Sequence, residues 1–272
     1  MQINSVSDTV VTALKNAAQA TGSDFHYLLG TAMRESSLKP GAQSSTSSAA
    51  GLFQFVDQTW LGLVKDHGAK YGLGRMAGSI TRDGDGHYRA ASDADRQAIL
   101  ALKKDPQISA MMAGEYARSA QTTMQGQLGR PVCGGELYAA HFLGADSACK
   151  LIRTAQTQPG ASAASLFPQA ASANRSVFYN SDGAPKSVRE VYDWALKQPG
   201  GSAPVAAAPA AVPNAYVQAA SAVDSNIQAL LAGVMNWQPT GFFSPSDQPA
   251  TPGSPLLLSA GALDILSGGK ES

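Results

Sequence analysis

The 272-residue chain is poor in charge and in cysteine and has no long apolar run, and each shortage narrows what it can be. Charged residues make up 15%, with Lys+Arg and Asp+Glu balanced at 20 each. No basic excess offers a footprint for nucleic acid or for an anionic membrane surface. The two cysteines, Cys133 and Cys149, match no zinc spacing. They could pair in an oxidising compartment or remain two buried thiols. No apolar run is long enough to span a bilayer, so no transmembrane segment is expected. The N-terminal stretch MQINSVSDTVVTALKNAAQA has no basic region followed by an apolar one. No ordinary cleaved signal peptide is visible, and any export route is not written there.

What is present is a 44% hydrophobic content, enough for a packed core, arranged in two unequal parts. Residues 1–198 are mixed and periodic and read as one domain. Residues 199–272 open with PGGSAPVAAAPAAVPNA, an uncharged Pro/Ala/Gly linker, and continue as a flexible tail. The tail carries a short amphipathic stretch at 216–237 and an apolar patch, LLLSAGALDIL, which could dock on a partner or on the domain.

Periodicity makes the domain mainly α. A first helix is expected from a cap near Ser7 or Asp8, with Val10, Leu14, Ala17 and Ala18 on one stripe. Further helices are expected at 24–37, 58–67, 92–102, 106–128, 135–142, 145–154 and 187–198. Residues 72–91 contain Gly72, Gly74, Gly78, Gly84 and Gly86 and read as loop or irregular hairpin. Within them, Asp83-Gly84-Asp85-Gly86 has the acidic spacing that begins a calcium loop, but the later ligands are missing. No metal and no cofactor is expected.

Chemistry is suggested first by the segment SDFHYLLGTAMRESSLKP. On a helix, Phe25, Leu28, Leu29, Ala32, Met33 and Ser36 make an apolar stripe, with Glu35 at its flank. Partial desolvation and a helix C-terminus both disfavour the carboxylate, so its pKa should rise above the usual ~4.3. A general acid needs that property. From this helix alone, a solvated glutamate at a helix end accounts for the pattern better. The next segment changes the balance, because Glu35-Ser36 is followed by Ser47-Ser48-Ala49-Ala50, then Gly51-Leu52-Phe53-Gln54, then Thr59-Trp60.

That succession resembles the soluble lytic transglycosylases, the SLT or glycoside hydrolase family 23 domain with a goose-type lysozyme fold. The family has a Glu-Ser pair ending a helix, a small-residue loop, a Gly-Leu-Met-Gln motif and a Thr-Trp. Here Phe53 replaces the usual Met. A later family element, Ala-Tyr-Asn-Ala-Gly, has its nearest counterpart in Ala140-His141-Phe142-Leu143-Gly144, which resembles a variant branch with Ala-His-Phe-Leu-Gly. The departure leaves open whether His141 or Tyr138 hydrogen-bonds Glu35. The resemblance covers roughly residues 8–155, and more loosely the sequence up to 196.

The resemblance implies a mainly α, lysozyme-like domain with a cleft, acting on peptidoglycan glycan strands. Glu35 would be the single acid/base for cleavage between N-acetylmuramic acid and N-acetylglucosamine, giving a 1,6-anhydro product. Ser36 would orient Glu35 or the sugar, and Gln54 would hydrogen-bond substrate. Gly51 would allow close backbone approach, Phe53 would line the cleft, and Tyr116 could stack on a sugar. Such an enzyme would work in the periplasm or cell envelope. Two other readings stay open. One is a lysozyme-like hydrolase using a second carboxylate from Asp57, Asp83 or Asp85, although Asp57 reads as the cap of the next helix. The other is a non-catalytic assembly protein of a secretion, flagellar or phage apparatus. A wall-cutting enzyme joined through its tail to an envelope-spanning machine would combine the ideas.

Overall fold

The computed structural model describes residues 2–205, with side chains from residue 8 onward. The expected amphipathic stretch at 216–237 and the apolar patch of the tail lie outside the described residues.

The described chain is mainly helical. Helix α1 (Gln2–Thr21) lies along the long helix α6 (Pro106–Leu128). It begins at Gln2, not at a cap near Ser7 or Asp8. Its buried stripe is Val10, Val11, Ala13, Leu14 and Ala17, whereas Ala18 is half-buried. Gly114 lets the two helices meet, since a Cβ there would fall 2.4 Å from Thr21 Oγ1. Helix α6 starts sharply because the Asp105 carboxylate accepts from Ile108 N–H and Pro106 follows it.

Helix α2 (Phe25–Ser36) is capped by Asp24, whose carboxylate accepts from the Tyr27 amide. Helix α3 (Asp57–His67) follows the small-residue loop. Residues 72–91 are more ordered than their glycines suggest: helix α4 (Gly74–Ser79) leads into a two-stranded antiparallel hairpin, β1 (Ile80–Arg82) with β2 (Tyr88–Ala90). Asp83 closes the turn. Its Oδ1 accepts from the Asp85 and His87 amides, and its Oδ2 accepts from Arg89. Helix α5 (Asp93–Ala101) is capped by Ser92.

The centre of the domain is helix α7 (Gly134–Leu143), buried along its whole length. A helix buried on every face must be apolar or must satisfy each polar group internally. Helix α8 (Ala145–Thr157) packs on α7 and α6. Three short helices fill a stretch with no sequence signal: α9 (Ala163–Leu166), α10 (Pro168–Ala173) and α11 (Arg175–Phe178). Helix α12 (Val188–Leu196) has a Ser187/Glu190 capping box and packs on α7 and α8 through Val188, Val191 and Ala195, with Tyr192 only half-buried.

After α12 the chain turns back as a strap. Pro199 lies on Gly30 of α2, where an added Cβ would be 2.8 Å from Pro199 Cβ. Gly200 lies on Gly134, Gly135 N–H donates to Gly201 O at 2.8 Å, and Val205 N–H donates to Val132 O at 3.0 Å. Cys133 and Cys149 are both buried free thiols.

Candidate active site

Glu35 occupies the last turn of α2. Its residue is 4% exposed, so it lies inside the buried face with Leu28, Thr31 and Ala32 instead of at the flank of the stripe. Phe25 and Met33, expected inside, are only half-buried. The helix ends abruptly behind the acid. Ser37 and Leu38 both take positive φ, 52° and 59°, while Ser37 N–H bonds Met33 O and Leu38 N–H bonds Ala32 O. Gln54 is the third non-glycine residue with positive φ among the described residues, at 50°. Left-handed backbone at such residues costs of order 1–3 kcal/mol each and persists only where the surroundings impose it. All three lie beside Glu35 or in the Gly51–Gln54 turn.

Above the acid, the Tyr138 hydroxyl of α7 donates to Glu35 Oε1 at 2.7 Å, and Arg34 Nε donates to the Tyr138 oxygen at 2.8 Å. Of the two candidates left open, Tyr138 makes the hydrogen bond. His141 Nε2 lies 3.9 Å from Glu35 Oε1 and has no hydrogen-bond partner among the described residues. Burial lowers His141 to about 4, so its ring is neutral near pH 7. Burial raises the Glu35 carboxyl, and the Tyr138 hydrogen bond and the Arg34 charge offset only part of this, leaving it pushed up to about 7. No hydrogen bond among the described residues occupies Glu35 Oε2.

The loop before α3 is built from its own small side chains. Ser44 Oγ accepts from the Thr46 and Ser47 amides, and Ser48 Oγ accepts from the Asp57 amide. Gly51 has φ +81°, and an added Cβ would fall 1.8 Å from the Lys103 carbonyl oxygen. The close approach expected at Gly51 is therefore made by the protein's own backbone. Gln54 Nε2 donates to Gly51 O at 2.8 Å and to Ala42 O at 3.4 Å, which ties the turn together. Ser36 Oγ donates to Ala32 O at 3.0 Å.

The aromatic residues are buried together. Phe53 packs against Phe55, and Phe55 meets Trp60, Tyr116 and His141. The Tyr116 hydroxyl donates to Ala140 O at 3.0 Å, and its ring is turned to Phe55 and His141, 3% exposed. Glu35, Tyr138, His141 and Tyr116 are thus linked through contacts, while Ser36, Gly51 and Gln54 hold the backbone around them.

Three participants carried no sequence signal. Lys103 is buried, and its three ammonium protons go to Ser48 O, Phe55 O and Asp57 Oδ1 at 2.7, 3.2 and 2.7 Å. Asp57 does not cap α3; Val56 holds that position, and the Asp57 carboxylate pairs with Lys103 and Arg96. Arg34 and Trp194 are the other two. The Arg34 guanidinium lies 5.4 Å from the Tyr138 ring centre and 5.9 Å from that of Trp194 on α12.

Residues 12–74, which run from the second half of α1 through α2, the serine loop and α3, match the family model of the transglycosylase SLT domain. Over this segment the chain is similar to the SLT domain. The mainly helical architecture fits the lysozyme-like fold of that family, and SLT domains act on peptidoglycan. The SLT match stops at residue 74, so Lys103, Tyr138 and Trp194 complete the surroundings of the SLT motif from later in the chain. No helix among the described residues is long and apolar enough to cross a membrane.

Proposed function

We propose that the protein is a peptidoglycan lytic transglycosylase in which Glu35 is the single acid/base. The observation that carries this reading is a buried carboxyl in the matched segment that holds its proton close to neutrality, with no second carboxylate acting on it. A group of that kind can donate and then accept a proton within one reaction cycle. Glu35 protonates the glycosidic oxygen between N-acetylmuramic acid and N-acetylglucosamine. The bond to that oxygen breaks, and the substrate's own N-acetyl group stabilises the cationic C1, as in substrate-assisted glycosidases. The Glu35 carboxylate then takes the proton of the C6 hydroxyl, whose oxygen closes on C1 to give the 1,6-anhydro product. No water is consumed.

The hydrolase reading requires a second carboxylate poised over a water. Asp57 is held by Lys103 and Arg96, and Asp83 is held by two amides and Arg89. Asp85 is exposed in the hairpin turn, and none of the three supports that role. Tyr138 positions the acid, His141 is a neutral polar neighbour, and Phe53 and Tyr116 back the site from the core. Ser36, Gly51 and Gln54 shape the backbone that faces the sugar. Action on peptidoglycan places the work in the periplasm or cell envelope, where the tail could join an envelope-spanning machine.

Digestion of peptidoglycan sacculi tests the reading, with the soluble muropeptides weighed by mass spectrometry. Anhydro products, lighter by one water, are expected from wild type and not from Glu35→Gln. Reducing-end products would overturn the transglycosylase assignment, and equal product from both proteins would remove Glu35 from the chemistry.

A further inference from the structure

We infer that Arg34, held between the rings of Tyr138 and Trp194, is a positioning residue that fixes the direction of the hydrogen-bond chain onto Glu35 Oε1 and so leaves the acid's proton on Oε2. The inference rests on the reading of Glu35 as the proton donor and adds which oxygen delivers the proton and which residues decide it.

A guanidinium has donors and no acceptor. With Arg34 Nε 2.8 Å from the Tyr138 oxygen, that oxygen accepts there, and its own hydrogen is turned to Glu35 Oε1 at 2.7 Å. An oxygen that accepts so short a bond serves as the carbonyl side of a neutral carboxyl, so the proton resides on the other oxygen. Oε2 has no hydrogen bond from the described residues and is left for the substrate. A tyrosine without Arg34 could rotate its hydroxyl and accept from the acid, which would reverse the chain and withdraw the proton from the substrate.

Arg34 is exposed, and an exposed arginine has many rotamers available. Its guanidinium is held by two aromatic faces, and these rings also meet each other edge-on, 6.0 Å apart and inclined at 66°. One face comes from α7 and the other from α12, so the C-terminal helix of the domain reaches the acid both through Arg34 and through the Trp194 contact with the Tyr138 ring. The ionisable groups facing the cluster are Tyr27 and Arg34 from α2, Tyr138 and His141 from α7, and Tyr116 of α6 behind His141; the strap at 199–205 contributes none. Of the charges, Arg34 alone opposes the effect of burial on Glu35.

The test uses the full chain without substrate. Carboxyl carbon NMR, with the Glu35 signal assigned through Glu35→Gln, follows its titration in wild type, Arg34→Gln, Trp194→Leu and Trp194→Phe. Arg34→Gln is expected to move the Glu35 titration upward by about 0.5–1 pH unit, less than a fully buried opposite charge would. Trp194→Leu is expected to move it the same way by less, and Trp194→Phe, which keeps a ring, to return it towards wild type. In infrared difference spectra the protonated Glu35 C=O band should move to higher frequency in Arg34→Gln, as the Tyr138 hydroxyl turns away. In sacculus digestion the alkaline limb should follow the NMR shift. An unmoved titration or C=O band in Arg34→Gln overturns the inference, as does a Trp194→Leu variant that changes only the melting temperature. The NMR and infrared readouts need no catalysis, so they decide this point even if Glu35→Gln digests peptidoglycan as well as wild type does.

Discussion

Two glutamates in this domain are equally hidden and opposite in character. Glu35 on α2 is 4% exposed and Glu136 on α7 is 2% exposed. Each accepts a hydrogen bond from a tyrosine, Tyr138 at 2.7 Å and Tyr192 at 2.8 Å. Glu136 also takes both arms of Arg130, at 3.0 and 2.7 Å, and the Cys133 amide at 3.0 Å. Burial pushes the Glu136 carboxyl up, but the Arg130 and Cys133 bonds, the Tyr192 hydroxyl and the Arg130 charge outweigh it and hold the group below its ordinary value. At Glu35 the balance goes the other way, because its arginine makes no hydrogen bond to the carboxyl and acts on it by charge at a distance and through a tyrosine. Burial alone therefore does not make an acid; burial with the second oxygen left unpaired does.

The sharpest way to break the comparison is to neutralise each carboxyl. Glu35→Gln should lower the release of anhydromuropeptides by about 10²–10⁴-fold, the usual worth of a general acid. Glu136→Gln should leave turnover of the folded protein within a few-fold, measured in the same digestion. Its loss falls on stability, about 1–3 kcal/mol from a charged hydrogen-bond network left one charge short, read by denaturant unfolding at pH 7.

Stability against pH should separate the two next. Glu35 ionises at about 7 when folded against 4.5 as its ordinary value, so the folded state holds its proton while the unfolded chain releases it. Stability contributed by neutral Glu35 is full below 4.5 and declines as pH rises to about 7, by as much as about 3 kcal/mol for a shift of 7 − 4.5. Glu35→Gln should therefore stabilise the protein at pH 8 and change little at pH 4. Glu136 has the opposite sign. Its depressed folded value makes its contribution present above the ordinary 4.5 and lost as pH falls through the folded value. Unfolding curves of the two variants that run parallel in pH would erase the distinction.

The smallest expected effect comes from the tyrosines. Tyr138→Phe removes a bond that pulls Glu35 down, so the alkaline limb of digestion should move upward while turnover falls about 10-fold, an energy near the 1.5 kcal/mol of one charge-assisted hydrogen bond. Tyr192→Phe, on a carboxylate still held by Arg130, should leave the limb in place.

The sequence made the long helices and the candidate acid legible because their signals are local. Capping residues at Asp24, Ser92 and Asp105, Pro106 and the Glu35 to Trp60 succession can all be seen within a few turns. The burial of Glu35 was underestimated because α7, which covers it, is about a hundred residues away in the chain. The serine loop was visible as a loop, but not that the Lys103 ammonium ties its carbonyls, since nothing near Lys103 marks it. Asp57 was misplaced for the same reason: as a helix-start carboxylate it resembles a cap, and its true partners arrive from α5 and the turn after it. The stretch at 72–91 could be read only as loop or irregular hairpin, because strands of three residues are too short to display alternation.

The junction of Gly51 with Lys103 also has a kinetic meaning. The Gly51–Gln54 turn is packed directly on the 102–104 turn, with the Lys103 carbonyl in the space a side chain at Gly51 would fill. Trp60 adds a similar tie by donating its indole N–H to Ile99 O at 2.7 Å. A motif that reads as a continuous local phrase is thus assembled through loops of about forty to fifty residues, and the closure of such loops slows folding. The Gly51–Gln54 turn should be among the last parts of the domain to set, and a nascent chain released before residue 104 should carry the motif without this contact.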